Sequence, residues 1–226
     1  MNTSHLTEQT VQIPTDDVAL AGTLSIPKGG QGLVMFAHGS GSSRHSPRNR
    51  FVARILQEGG LATLLMDLLS EEEEKVDMAT AHLRFDIPLL GERLVAATAW
   101  ATKQPSTREF RFGYFGSSTG AAAALVAAAR RPDHVAAIVS RGGRPDLAKP
   151  VLDRVRAPTL LIVGGNDEPV IEMNQSALAL LQVEKQLEIV PGATHLFEEP
   201  GTLERVADLA RDWFRSHLAG QRDGEA

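Results

Sequence analysis

Six short, mainly apolar segments recur along the chain, and helical patterns lie between most of them. Runs of this kind are typical of strands buried on both faces of a mainly parallel sheet, whereas half-exposed strands alternate apolar and polar residues. The segments are Leu33–Ala37, Leu61–Met66, Phe110–Phe115, Val135–Val139, Thr159–Val163 and Leu187–Val190. Strands that alternate with helices predict a doubly wound α/β fold.

The first part of the chain follows a different pattern. Thr10–Pro14 and Val18–Pro27 alternate apolar and polar residues around Thr15-Asp16-Asp17, which predicts an antiparallel hairpin. With the six apolar segments, this gives a mainly parallel sheet of about eight strands. The segments Gly116 to Asp133 and Ser140 to Pro158, which separate later strands, are too short to contain a large lid domain.

Helical spacing accounts for several of the intervals between strands. The predicted helices are Pro47–Gln57, a helix capped by Asp86 that ends near Gln104-Pro105, the small-residue helix Ala121–Ala129, and a last helix capped by Thr202. The acidic run Glu71–Glu74 predicts an exposed mobile loop, and whether Leu68–Phe85 folds over the site as a flap stays open.

The length favours one domain, because α/β proteins of up to ~250 residues often form a single unit. We expect one α/β domain over residues 1–226, with a core at about 11–218 and tails at 1–9 and 220–226. Gln221–Ala226 is expected to be frayed.

Composition excludes several classes of function. The 23 basic and 28 acidic residues form no basic stripe, so no nucleic-acid partner is expected, and the absence of cysteine excludes disulfides, cysteine-ligated metals and thiol catalysis. The segment MNTSHLTEQTVQ lacks the features of a signal peptide, and no run reaches the ~18 apolar residues that span a bilayer. We expect a soluble, cytoplasmic protein without membrane partner, metal or cofactor, and the oligomeric state is left open.

A G-x-S-x-G motif supplies a candidate nucleophile. Gly116-Ser117-Ser118-Thr119-Gly120 lies between an apolar run and the alanine-rich helix. In a strand–turn–helix context, this motif holds its central serine on a sharp, strained turn. The alternative is a Gly/Ser turn that merely begins a helix.

A base and an acid follow later in the chain. Asp167 comes shortly after Thr159–Val163, and His195 comes shortly after Leu187–Val190. In open α/β sheets, ligands bind beyond the carboxyl ends of the strands, where both residues are expected. The chain order Ser118, Asp167, His195 is the order of the α/β-hydrolase triad, so we predict these three residues as nucleophile, acid and base.

Acyl transfer also needs donors for the oxyanion that forms. The N–H of Thr119, next to the nucleophile, is one candidate, and the loop after Leu33–Ala37 should supply another. We predict the Ser40 N–H, with Gly41 as the alternative. This loop does not fit a dinucleotide fingerprint, because Arg44 stands where glycine is required.

Taken together, these residues resemble the α/β-hydrolase superfamily over roughly Val11 to Leu218. The segments AHGSGSSRHSPRNR, VSRGGRPDL and PGATHLFEEPGT are similar to those of the bacterial dienelactone-hydrolase-like group. Dienelactone hydrolases proper carry a cysteine nucleophile, whereas this chain has Ser118. The resemblance therefore implies a serine hydrolase of carboxylic esters rather than an enzyme for dienelactone itself.

Two arginines are candidate substrate ligands. Arg141 and Arg144 follow Val135–Val139 at the predicted site edge and suit a substrate carboxylate; alternatively, they pair with Asp133 or Asp146. Arg44, His45 and Arg48 are interpreted as a solvated helix start.

The predicted function is hydrolysis of small, short-chain carboxylic esters, including carboxylate-bearing esters or lactones, through an acyl-enzyme. One alternative is a hydrolase-fold binding or signalling protein with little turnover. Another is an acyltransferase or perhydrolase that uses the same triad.

Overall fold

An eight-stranded sheet forms the centre of the protein in a computed structural model that describes residues 6–219. The spatial order is β1-β2-β4-β3-β5-β6-β7-β8. In chain order, the strands are β1 (Leu6–Pro14), β2 (Ala19–Pro27), β3 (Leu33–Ala37), β4 (Ala62–Met66), β5 (Phe112–Ser117), β6 (Val135–Arg141), β7 (Thr159–Gly164) and β8 (Lys185–Val190).

The pairing confirms the predicted fold class. β1 pairs antiparallel with β2, and β2 pairs antiparallel with β4. Every pairing among β3 to β8 is parallel. The carboxyl ends of these six strands therefore lie along one edge of the sheet, where the loops that follow them meet.

Helices cover both faces of the sheet. They are α1 (Pro47–Glu58), α2 (Glu71–Thr80), α3 (Ile87–Ala101), α4 (Thr119–Arg130), α5 (Glu168–Leu180) and α6 (Thr202–Leu218), with short 3₁₀ segments at Leu83–Phe85 and Pro145–Arg154. α1 and α6 pack with one core cluster. α3, α4 and α5 contribute to the other.

The alanine-rich helix α4 is buried along most of its length, as predicted from its small side chains. Small residues let its backbone approach both the sheet and α3. At Gly91 of α3, an added Cβ would lie only 2.8 Å from Val126 Cγ1. This close packing fixes the helix whose first residue follows Ser118.

The acidic run Glu71–Glu74 is helical, so the prediction of a mobile loop is wrong. These four residues form the first turn of α2, where negative charge is favoured by the helix dipole. Ser70 caps the turn and forms a capping box with Glu73. Ser70-Glu71-Glu72-Glu73 fits the S-x-x-E signature of that box. This signature of a helix start was a stronger signal than the run of four acidic residues that suggested a loop.

Some predicted boundaries also change. β1 begins at Leu6, so residues 6–9 belong to the sheet and not to an amino-terminal tail, because they pair with β2. The last helix is preceded by Gly201 as its cap, and Thr202 is its first residue. Residues 1–5 and the predicted tail at 220–226 lie outside the described residues.

Within residues 6–219, the structure contains no helix with both the length and the apolar character needed to cross a membrane.

Candidate active site

The carboxyl edge of the sheet brings together the residues predicted to carry chemistry. Ser118 directly follows β5. Asp167 lies three residues beyond Gly164, the end of β7, and His195 lies five residues beyond Val190, the end of β8. Gly164 and Val190 are register partners, so the two loops leave the sheet side by side.

Ser118 occupies a backbone conformation that few non-glycine residues adopt. Its φ is 50° and its ψ is −121°, as expected for a sharp turn between β5 and α4. No residue with a side chain fits at the two flanking glycines, because a Cβ there would collide with neighbouring backbone atoms. A Cβ at Gly116 would lie 2.4 Å from Ala121 Cα, and one at Gly120 would lie 2.1 Å from the Ala37 carbonyl oxygen.

Asp167 and His195 are in direct contact. His195 Nδ1 lies 2.7 Å from Asp167 Oδ2, and the Asp167 side chain is only 15% exposed. Because a carboxylate accepts, Nδ1 carries the proton and leaves Nε2 as the basic nitrogen. The two loops are tied by the Asn166 N–H, which donates to the Ala193 carbonyl at 2.9 Å.

Ser118 and His195 are both held against the segment Arg141–Arg144. The Ser118 N–H donates to the Arg141 carbonyl at 3.3 Å, and the Arg144 N–H donates to the Ser118 carbonyl at 3.1 Å. At Gly142, an added Cβ would lie 3.6 Å from the imidazole of His195. Among residues 6–219, no hydrogen bond joins the Ser118 hydroxyl to His195.

The predicted oxyanion donors lie next to each other, but one of them is engaged. The Ser40 N–H donates to Thr119 Oγ1 at 3.0 Å. The Thr119 N–H, at the first position of α4, has no intrahelical acceptor and makes no other hydrogen bond within the described chain. A substrate carbonyl oxygen placed here can therefore accept a hydrogen bond from the Thr119 N–H. The Ser40 N–H already donates to Thr119 Oγ1 and would have to be shared between that oxygen and the substrate.

His38 fixes the loop that carries Ser40. Its Nδ1 donates to the Gly39 carbonyl at 2.9 Å, and its Nε2 accepts from the Leu68 N–H at 3.1 Å. Burial lowers the pKa of His38, although the Gly39 carbonyl opposes that shift. Because Nε2 accepts a hydrogen bond, the imidazole is neutral and carries its proton on Nδ1.

The two predicted substrate arginines differ in their surroundings. Arg144 forms a bidentate pair with Asp146, with Nε and Nη2 at 2.9 and 2.8 Å from the carboxylate oxygens. The alternative prediction of an Asp146 partner therefore fits Arg144. Arg141 is only 8% exposed, and its side chain has no hydrogen-bond acceptor among residues 6–219.

Two residues at the start of α1 were missed as members of this edge. Asn49 is buried and accepts a hydrogen bond from the Ser117 hydroxyl at 3.1 Å. The Nε of Arg48 is buried without an acceptor, whereas its side chain is 34% exposed and pairs with Glu198, so the prediction of a solvated helix start holds only in part for Arg48. The signal was the short distance in sequence between the Ser40 loop and Pro47, which places this helix start near the site.

Little enclosed space lies beside the oxyanion loop. The cavity bordered by residues 38–42 and Thr119 has a volume of about 10 Å³. A larger cavity of about 460 Å³ lies between the segment Pro145–Arg154 and α5, and Ser118 and His195 do not line it. Within the described residues, no group of three or more His, Asp or Glu side chains is arranged to hold a metal ion.

The sheet order and the placement of Ser118, Asp167 and His195 beyond β5, β7 and β8 are those of the α/β-hydrolase class. A model of the dienelactone hydrolase family matches residues 20–217. The chain belongs to that family.

Individual relatives support the assignment. A crystal structure of a dienelactone hydrolase from Anabaena variabilis is 60% identical, with a TM-score of 0.93, and the match covers 94% of this chain and 99% of that one. Est1E from Butyrivibrio proteoclasticus shares the fold, with a TM-score of 0.77 at 18% identity over 92% of this chain and 98% of that one. The family and the fold support a hydrolase.

A Mycobacterium tuberculosis protein provisionally named a phosphoribosyl transferase is also related. It is 57% identical over 215 residues, which are 95% of this chain and 48% of that protein. The chain thus spans about half the length of the curated relatives that it matches.

Proposed function

We propose that this protein is a serine hydrolase that cleaves small carboxylic esters through an acyl-enzyme on Ser118. The observation that supports this most strongly is the 2.7 Å contact between His195 Nδ1 and Asp167, beside a serine on a strained turn. We further propose that the chain forms one α/β-hydrolase domain and that its partner is a small-molecule ester.

In the proposed reaction, His195 Nε2 takes the proton of the Ser118 hydroxyl as the serine oxygen attacks the ester carbonyl. The tetrahedral intermediate collapses when His195 returns the proton to the leaving alcohol. Asp167 holds the imidazole in the required tautomer and stabilises the imidazolium. Water then attacks the acyl-enzyme by the same route and releases the acid.

The developing oxyanion is proposed to bind the Thr119 N–H and a second donor from the loop after β3. The Ser40 N–H now donates to Thr119 Oγ1. It is the second donor if the oxyanion replaces Thr119 Oγ1 as the acceptor or accepts the same N–H alongside it. The Gly41 N–H remains the alternative. A single such donor contributes roughly 10²–10³-fold to the rate in other acyl-transfer enzymes.

Short acyl chains are the proposed substrates. The chain between β5 and β6 forms α4, and the chain between β6 and β7 forms the 3₁₀ segment Pro145–Arg154, so neither supplies a lid domain to enclose an acyl chain at Ser118. Long chains therefore gain little from burial of apolar surface, which is worth about 0.8 kcal/mol per buried methylene.

The name of the mycobacterial relative describes a protein about twice as long, and no feature of this site favours phosphoribosyl transfer. We therefore do not propose that activity for this chain.

The direct test compares wild type with Ser118→Ala on esters of different acyl length and charge. The proposal requires hydrolysis by wild type and loss of nearly all of it in the variant, with unchanged thermal unfolding as the control for the fold. Activity retained within a few-fold would place the nucleophile elsewhere. If neither protein hydrolyses any ester but both bind the esters, the protein is a binding protein. Faster acyl release to an added alcohol or to peroxide than to water would favour the acyltransferase or perhydrolase alternative.

A further inference from the structure

Thr119, which follows the candidate nucleophile, carries two hydrogen-bond donors that have no acceptor among residues 6–219. One is its backbone N–H, at the first position of α4. The other is the hydrogen of its side-chain hydroxyl, because the hydrogen bond that Oγ1 makes within this part of the chain is one in which Oγ1 accepts. The residue is only 3% exposed, and buried polar groups normally have partners. Both donors therefore call for an acceptor that the described chain does not supply.

The bond from the Ser40 N–H holds this hydroxyl in place and leaves its hydrogen free. The Ser40 N–H donates to Thr119 Oγ1 at 3.0 Å. A hydroxyl has one donor and two acceptor sites, so this bond uses one acceptor site and does not use the donor. It also selects one rotamer of a β-branched side chain, which is stiff at χ1. Because neighbouring hydrogen bonds polarise each other, a hydroxyl that accepts such a bond is also a better donor.

The Thr119 hydroxyl borders the position of the oxyanion. Only the Cα and Cβ atoms separate Oγ1 from the Thr119 backbone nitrogen, and Oγ1 also contacts the Ser40 nitrogen. These two nitrogens carry the predicted oxyanion donors, so Oγ1 belongs to the same group of atoms. The loop itself packs against the nucleophile, because a Cβ added at Gly39 would lie 3.0 Å from Ser118 Cβ. The carbonyl oxygen of an ester attacked by Ser118 is therefore bordered by the Thr119 hydroxyl as well as by the backbone N–H groups.

We propose that the Thr119 hydroxyl donates a hydrogen bond to the oxyanion and is a further catalytic group of this site. The Thr119 N–H is the other donor to the same oxygen. The Ser40 N–H then acts through Thr119, because it stays bonded to Oγ1 and orients and polarises the hydroxyl. This inference rests on the proposed function, since it concerns the intermediate formed on Ser118. Donation relayed through the Thr119 hydroxyl takes the place of direct donation by the Ser40 N–H.

Removal of the hydroxyl distinguishes relayed donation from direct donation. In Thr119→Ala, the Ser40 N–H loses its acceptor and is free to donate to the oxyanion itself, so direct donation predicts an unchanged or higher kcat. Relayed donation predicts that kcat falls in Thr119→Ala and Thr119→Val by roughly 10²–10³-fold, the effect of losing one oxyanion donor in other acyl-transfer enzymes. KM should change little, because the hydroxyl binds a charge that develops only as the reaction proceeds.

Two variants serve as controls. Thr119→Ser keeps the hydroxyl and should retain most of the kcat of wild type. Thr107→Val removes a buried hydroxyl away from the site and should leave kcat unchanged, because Thr107 is 1% exposed, donates to the Ala101 carbonyl and precedes β5, whereas Ser118 follows that strand. Thermal unfolding of each variant checks the fold. If Thr119→Val does not fold, the comparison of Thr119→Ala with Thr119→Ser decides the question.

A change of the substrate oxygen separates donation to the oxyanion from a structural effect on the loop. Ethyl butanoate is compared with its thionoester, O-ethyl butanethioate, in which the carbonyl oxygen is replaced by sulfur, a weak hydrogen-bond acceptor. Loss of a donor to this atom should cost less with the thionoester. The preference of wild type for the oxygen ester in kcat/KM should therefore fall by roughly ten- to a hundred-fold in Thr119→Val. A structural effect would slow both substrates equally, and that result would overturn the inference.

Ser118→Ala, assayed with ethyl butanoate in the same series, keeps this inference apart from the proposed function. Hydrolysis that is lost in Ser118→Ala, strongly reduced in Thr119→Val and Thr119→Ala, and retained in Thr119→Ser supports the role of the hydroxyl. Hydrolysis that is lost in Ser118→Ala but unchanged or faster in Thr119→Ala overturns this inference and leaves the proposed function in place. Hydrolysis that persists in Ser118→Ala, or that wild type lacks, overturns both.

Discussion

Ser118 adopts a backbone conformation that costs free energy in the folded state, and glycine at this position should relieve that cost. With φ at 50° and ψ at −121°, the residue lies outside the ordinary left-handed region, where ψ is about +47°. Strain of this kind is worth roughly 1–3 kcal/mol. The greater freedom of glycine in the unfolded chain offsets about 0.5–1 kcal/mol. Ser118→Gly should therefore be about 0.5–2 kcal/mol more stable than Ser118→Ala.

The comparison with Ser118→Ala matters because both variants lack the hydroxyl and only one relieves the strain. Thermal and urea unfolding measure the difference, which corresponds to an increase in Tm of roughly 1–8 °C for a domain of this size. Ala81→Gly is a useful control, since Ala81 has φ 55° and ψ 18° in the ordinary left-handed region and should gain less. If Ser118→Gly is no more stable than Ser118→Ala, the turn is unstrained and the reasoning fails.

Three further predictions follow from the contacts around the site. Asp167→Asn should lower kcat by roughly 10³–10⁴-fold, because the amide no longer fixes the tautomer of His195 or stabilises its cation; a comparable loss in Glu168→Gln alone would identify a different acid. Burial lowers the pKa of His38 in the folded protein. Below about pH 6.5, His38 is therefore protonated more readily in the unfolded chain than in the folded protein. The free energy of unfolding should consequently fall as the pH is lowered from that value. Urea unfolding between about pH 6.5 and 5 should show a smaller decrease in the free energy of unfolding for His38→Gln than for wild type. If the two proteins lose stability equally over this range, the pKa of His38 is not lowered. Finally, a butyrate ester should have a higher kcat/KM than a palmitate ester, since the segments between β5, β6 and β7 supply no lid domain to enclose a long chain; the reverse order would show that a long-chain site exists.

The sheet and the positions of Ser118, Asp167 and His195 could be predicted because both depend on local signals in chain order. Apolar runs mark β3 to β8, and each candidate residue follows the end of one of them. In a parallel sheet, those ends share an edge, so sequence position alone brings the three residues to one site. Their chemical roles remain predictions.

Other features depended on competition between signals or on tertiary contacts. The start of α2 was mistaken for a loop because four adjacent glutamates outweighed the capping box of Ser70 and Glu73. Arg144 pairs locally with Asp146, which the sequence offers as one of two partners, whereas the lack of a partner at Arg141 depends on everything packed around it. The bond from the Ser40 N–H to Thr119 Oγ1 depends on a side-chain rotamer, which no periodicity specifies.

The most direct test of the account is to trap the acyl-enzyme. Wild type and Ser118→Ala are mixed with excess 4-nitrophenyl acetate, quenched in acid within the first turnover, and measured by intact-protein and peptide mass spectrometry. The account predicts a single added acetyl group on Ser118 in wild type, formed together with a burst of nitrophenol, and none at this position in the variant. An acetyl group on another residue, or hydrolysis by wild type with no burst and no adduct under conditions where deacylation is slow, would contradict nucleophilic catalysis by Ser118.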